Sequence, residues 1–116
     1  MSTGRSGNGG AADSGVAGYS AGGYDTASIS GIDKIVFFLD VKSTLSATLT
    51  TARNALAGIA NSGTAGYFGG GGEAGGATYL TAIDKITFPA DTKTTLSATL
   101  TQGKYGMAGF ADCGGF

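Results

Sequence analysis

The chain has 116 residues, enough for one small domain, but 23 of them are glycine and only 13% are charged, a thin polar coat for a surface that must be solvated alone. A net charge of −1 with seven scattered basic residues leaves no basic run to neutralise successive phosphates, which argues against nucleic-acid binding. The single cysteine, Cys113, excludes an internal disulfide framework, and with no histidine there can be no Cys/His zinc site; an intermolecular bridge stays open.

Residues 1–14 are rich in Gly and Ser and read as a flexible arm, with too few apolar side chains to offset the entropy of ordering. Residues 1–10 carry Ser, Gly and Asn where a signal peptide needs an apolar run, so export by the usual route is not expected. No segment reaches the ~18 apolar residues of a membrane span, and membrane insertion is not expected either. The arm nevertheless echoes a later segment. With Arg5 set on Arg53, residues Gly10, Ala12, Ser14 and Gly15 fall on Gly58, Ala60, Ser62 and Gly63, as if the arm were a worn copy of one strand.

Val16-Ala17-Gly18-Tyr19 and Thr64-Ala65-Gly66-Tyr67-Phe68 are short strand candidates ending in glycines that terminate and turn the chain. The next strands are expected over 29–38 and 79–88, with Ile86 and Phe88 on one face and Lys85 and Thr87 on the other. Pro89 stands where the second of these should stop. Asp40 and Asp91 are turn residues, and hairpin partners follow at 43–47 and 94–98. Segments 49–53 and 100–104 are connections with a cation at the same offset, and 54–60 and 105–111 are further short strands rich in Gly and Ala. A helix over 51–59 is the competing reading on propensity, but its counterpart Gln-Gly-Lys-Tyr-Gly-Met-Ala-Gly-Phe holds three glycines.

These elements occur twice. Ile32-Asp33-Lys34-Ile35 through Leu45-Ser46-Ala47-Thr48-Leu49-Thr50 returns 51 residues later as Ile83-Asp84-Lys85-Ile86 through Leu96-Ser97-Ala98-Thr99-Leu100-Thr101. Such a period marks units that cannot bury their own apolar faces and need neighbours. Taken in order, Gly-Tyr-Phe-Gly-Gly-Gly, then Ile-Asp-Lys-Ile-Thr-Phe-Pro-Ala-Asp-Thr-Lys-Thr-Thr-Leu, and the link Leu-Thr-Thr-Ala-Arg53 resemble kelch repeats, the blades of one class of β-propeller. The likeness covers roughly residues 16–116. Leu45 and Leu96 stand about where the kelch fourth strand has tryptophan, so the version is divergent. Its texture is similar to the Gly-Tyr-Phe-x-Gly-Gly repeats of bacteriophage virion proteins and related bacterial sequences.

The resemblance implies an all-β fold with two kelch-like four-stranded propeller blades in 15–116. Strands 53–60, 64–70, 79–88 and 93–98 make one blade, within 53–98. The other, within 15–50, has three strands and lacks its first, for which 104–111 is the candidate. Two blades do not close a ring, since propellers use about four to eight, and open blade faces expose apolar side chains. Closure is therefore expected by head-to-tail oligomerisation, with 104–111 of one subunit entering the incomplete blade of the next; three chains and six blades are favoured over four or two chains. Tyr105, Met107 and Phe110 bury more apolar area than Ser6, Asn8 and Ala11, and at ~25 cal/mol per Å2 the C-terminal copy should take the slot and release the arm.

No catalytic function is expected, because a chain without histidine lacks the usual base of a nucleophile–base pair, and neither cofactor nor metal is called for. Asp33 and Asp84 recur in both units; cross-blade hydrogen bonding is preferred over a cation-holding carboxylate ring. The copies differ most in the loops after the glycines, so Tyr24, Asp25, Glu73 and Tyr79 are the candidate binding residues. The expected function is a non-enzymatic structural and binding component of a virion, tail or fibre, touching other virion proteins or a cell-surface glycan. The alternative is a small extracellular lectin-like propeller. A fragment of a longer propeller is a third reading.

Overall fold

A computed structural model describes residues 4–61, 63–73 and 78–103, together with the backbone of 111–112. Among them there is no helix. The chain forms two four-stranded antiparallel sheets, the first ordered β1-β2-β3-β4 and the second β5-β6-β7-β8. The first contains β1 (Gly9–Asp13), β2 (Ala17–Ala21), β3 (Ile32–Val36) and β4 (Val41–Thr44). The second contains β5 (Ala57–Asn61), β6 (Ala65–Gly69), β7 (Ile83–Thr87) and β8 (Thr92–Thr95). A two-residue strand, β9 (Ala111–Asp112), lies parallel on the free edge of β5.

Registers repeat between the sheets. Tyr19 faces Lys34 across β2 and β3, and Tyr67 faces Lys85 across β6 and β7. Asp33 faces Thr44, and Asp84 faces Thr95. Each β-hairpin between the third and fourth strands turns through an aspartate at positive φ, Asp40 at 52° and Asp91 at 58°, a conformation that short polar side chains tolerate. No helix forms over 51–59; the chain there enters β5.

The sheets pack face to face, and the core is the seam between them. Ala17, Tyr19, Ala21 and Ile32 from the first sheet and Leu56, Phe68, Ile86 and Phe88 from the second form one buried cluster, with Leu49 from the link between them. At the inner end β1 lies against β5 so closely that a Cβ at Gly58 would collide with the carbonyl of Gly10. Only glycine fits there.

The expected arm is where the structure departs from the sequence reading. Residues 9–13 are not free but are the first strand of the first sheet, paired with β2 from Gly9↔Ala21 to Asp13↔Ala17. That sheet is complete without 104–111. The area argument failed because the slot is narrow: a Cβ at Gly9 would come within 3.2 Å of Leu56, and the Ala11 methyl is already 3.0 Å from where one at Gly66 would stand. Small residues fit better than Tyr, Met or Phe when overpacking strains a dense interior. Polar anchors then hold the strand. Arg5 pairs with Asp33, the Asn8 amide donates to Ser20 Oγ, and Asp13 accepts from the Gly63 amide at 2.9 Å. Tyr105, Met107 and Phe110, expected to close the ring, lie outside the described residues, as does Cys113.

Candidate functional site

Each sheet is built over a buried arginine. Arg53 reaches from the link into the second sheet, where Nη1 donates to the carbonyls of Gly70 (3.1 Å) and Ala82 (2.9 Å) and Nη2 to Asp84 (2.8 Å). Arg5 does the same in the first, donating to Gly22 (2.9 Å), Gly31 (3.1 Å) and Asp33. The carbonyls belong to the loops where the second and third strands part; those of Gly31 and Ala82 also accept from the Gly22 and Gly70 amides, and the guanidinium, with five donors, adds a second bond to each and reaches the Gly22 and Gly70 carbonyls as well. Both ion pairs are enclosed, with side-chain exposure of 0% for Arg53 and Asp84.

Asp84 also accepts from the Thr50 amide (2.8 Å) and hydroxyl (2.7 Å) and from the Thr95 hydroxyl (2.7 Å). Burial alone would raise its pKa, but the Thr50 and Thr95 bonds and the Arg53 charge outweigh it and hold the carboxyl below its ordinary value. Burial lowers the Arg53 pKa against the opposing pull of Asp84. Of the two readings of the recurring aspartates, the geometry realises hydrogen bonding. Asp33 and Asp84 are held by arginine and threonine, and Thr50 ties Asp84 to the link between the two sheets.

A second polar cluster spans the seam on its outer side. Asp91 of the second sheet accepts from the Tyr19 hydroxyl and from Lys34 Nζ of the first, both at 2.7 Å. The Tyr19 ring stacks on Phe88 with centroids 4.9 Å apart, and Lys34 lies over the same ring at 5.5 Å. Burial, then the bond to Asp91, pushes the Tyr19 phenol well above its ordinary pKa.

The four loop residues singled out from the sequence lie on equivalent connections of two different sheets. Tyr24 is exposed and bridges to Ser6 and Ser28, with Asp25 beside it at the surface. Tyr79 is exposed and bridges to Gly72, while the Glu73 amide donates to the carbonyl of Thr78 at 3.2 Å and so closes the same loop. Tyr24 and Asp25 thus share one loop, Glu73 and Tyr79 the other.

The sequence reading did not assign these contacts to Arg5, Arg53, Tyr19 or Lys34, and gave Asp91 only a turn role. A signal for the arginines existed in the alignment of Arg5 with Arg53. For the others it was the recurrence of Tyr19 as Tyr67, Lys34 as Lys85 and Asp91 as Asp40.

The outer faces repeat the composition of the seam without its cover. Ile86 is 0% and Phe88 6% exposed, whereas Ile35 and Phe37, in the same places one repeat earlier, are 38% and 43% exposed. Phe38, Leu39 and Val41, around the first hairpin, are exposed too. No protein-family model matches the chain, and no curated protein does either.

Proposed function

We propose that the chain is a non-enzymatic structural and binding component of a large assembly, a phage virion or its tail or fibre, in which kelch-like blades associate head to tail into an oligomeric β-propeller. The observation that carries this reading is the exposed apolar residues of the first sheet, Ile35 and Phe37 on its outer face and Phe38, Leu39 and Val41 around its hairpin. Exposed large apolar residues gathered at one sheet and its hairpin mark an interaction surface. The glycine-rich, kelch-like texture supports the virion setting, where the partners are further copies of the chain and other virion proteins, and where the loops bearing Tyr24 and Tyr79 face outward to a host surface. Three copies would bring six sheets around one axis, within the range propellers use.

Light scattering on the purified chain tests this reading. The expected result is a mass near three times the 11.3 kDa of one chain; a monomer at every concentration overturns it.

One observation favours a second reading. Tyr24 and Tyr79 are exposed on loops that also carry Asp25 and Glu73, the combination of an aromatic platform and a carboxylate that suits stacking and hydrogen bonding to a sugar ring. An extracellular lectin-like propeller would bind immobilised glycans by itself, and Tyr24→Ala and Tyr79→Ala would abolish that binding without changing the mass.

A further inference from the structure

We infer that the two outer faces of the molecule are complementary to each other and that a second copy of the chain covers them, reproducing between chains the seam already formed within one. This rests on the assembly reading above and specifies its contacts. The seam has a giving side, Tyr19 and Lys34 on the first sheet, and a receiving side, Ile86, Phe88 and Asp91 on the second. One repeat onward, the giving side is Tyr67 and Lys85 on the outer face of the second sheet. One repeat back, the receiving side is Ile35, Phe37 and Asp40 on the outer face of the first. Every residue type that makes the ion pair, the hydroxyl bond and the ring stack is present again, in the same register.

Their state in the single chain fits an interface not yet made. Lys85 lies over the Tyr67 ring at 5.8 Å, as Lys34 lies over Tyr19, but among the described residues it pairs with no carboxylate. Asp40 has the same left-handed backbone as Asp91 and is exposed. Between copies, Lys85 and Tyr67 of one chain would donate to Asp40 of the next, with the Tyr67 ring on Phe37.

A separate observation comes from the inner strands. Gly58 must be glycine because β1 lies against it, whereas a Cβ at its counterpart Gly10 would find no atom nearer than 3.8 Å. Among the described residues nothing requires glycine at position 10. The close approach of β5 of a second copy, placed as β1 is placed on β5, would require it. One departure is compatible with this: Asn8 and Ser20 stand where the second sheet has Leu56 and Phe68, and they bond to each other, so they can be covered without leaving a polar group unmet.

Charge exchange tests the inference, with mass read by light scattering and fold by far-ultraviolet circular dichroism and thermal melting. Asp40→Lys and Lys85→Asp are each expected to weaken association by about a hundredfold, because each sets like charges against each other across the interface. A chain carrying both changes should recover it, since every head-to-tail contact then regains one charge of each sign. Gly10→Val should abolish association while leaving the melt of the dilute single chain unchanged. If the native chain associates but all these variants associate equally well, or if the double variant fails to recover, this register is overturned while the assembly reading stands. A native chain that never associates overturns both.

Discussion

Ile86 and Ile35, or Phe88 and Phe37, are the same residue types at the same places in two sheets of one repeat, yet the first of each pair is enclosed and the second exposed. The difference teaches that these side chains do not form the core of their own sheet. A single twisted sheet has two faces and can bury neither alone, so each repeat carries half of an interface and depends on its neighbour for the other half. The buried Arg–Asp pairs show the opposite pattern, since each is enclosed within its own sheet and only Thr50 links Asp84 to the neighbour.

The largest way to break that comparison is at Asp84. Asp84→Asn leaves Arg53 buried without its countercharge and should cost about 3–5 kcal/mol, read by urea unfolding. The pH dependence has a definite sign. Because the folded carboxyl lies below its ordinary value, its stabilisation is complete above the unfolded-state pKa of ~3.9 and is lost as pH falls below that toward the folded value. The native protein should therefore lose stability steeply below about pH 4, and the variant should show a shallower acid limb.

Next comes a paired test of burial. Phe88→Ala removes a ring that stacks on Tyr19 and should destabilise by about 3–4 kcal/mol. Phe37→Ala, in a dilute single chain, should cost less than about 1 kcal/mol, as for a partly exposed side chain. Equal losses in the two variants would show that Phe37 is already covered in the isolated chain.

A smaller effect is expected at Tyr19. Tyr19→Phe keeps the stacked ring but removes the hydroxyl bond to Asp91, for about 1.5–3 kcal/mol, the range for a hydrogen bond to a charged group. Since the folded phenol titrates above its ordinary value, its contribution is complete below the unfolded-state pKa of ~10 and lost as pH rises above it. The native chain should weaken above about pH 10 more than the variant does.

The smallest effect sharpens the repeat rather than breaking it. Ala55 has φ of 52°, and its counterpart Gly7 has φ of 64°. Alanine is strained in that region and glycine is not, so Ala55→Gly should raise stability by about 0.5–1 kcal/mol. A loss on thermal melting would mean that the flexibility glycine adds to the unfolded chain outweighs the strain relieved.

Much of this architecture was legible in the residues. The 51-residue return of Ile-Asp-Lys-Ile, glycines after Tyr19 and Tyr67, and the turn aspartates were enough to order seven of the eight strands of the two sheets, β2 to β8, and to reject the helix over 51–59. Hydrogen bonding across the blades was the preferred expectation for Asp33 and Asp84; Asp84 does accept from Thr50 of the link, whereas Asp33 bonds to Arg5 and Thr44 of its own repeat. Strand limits moved by a few residues, as at β3, which runs from Ile32 to Val36 rather than over 29–38, because pairing with β2 and β4 sets the ends and no local signal does. The grouping of Tyr24 with Asp25 and of Glu73 with Tyr79 was legible from the two loops that differ between the copies, 24–28 and 70–79.

By itself the sequence determined the period, the antiparallel strand order within a repeat and the residue types that each repeat offers its neighbours, because these are local properties of alternation, turn chemistry and spacing. Only the tertiary structure decided which segment fills the first sheet and which equivalent residues are covered. Residues 9–13 hold their slot despite meagre apolar area, since the narrow gap beside Leu56 and Gly66 excludes large side chains and Arg5 finds Asp33 and two loop carbonyls there. Phe37 and Phe88 are indistinguishable by type. Their burial differs because it belongs to the pair of surfaces that meet, and a contact between distant segments is fixed only when the chain has closed on itself.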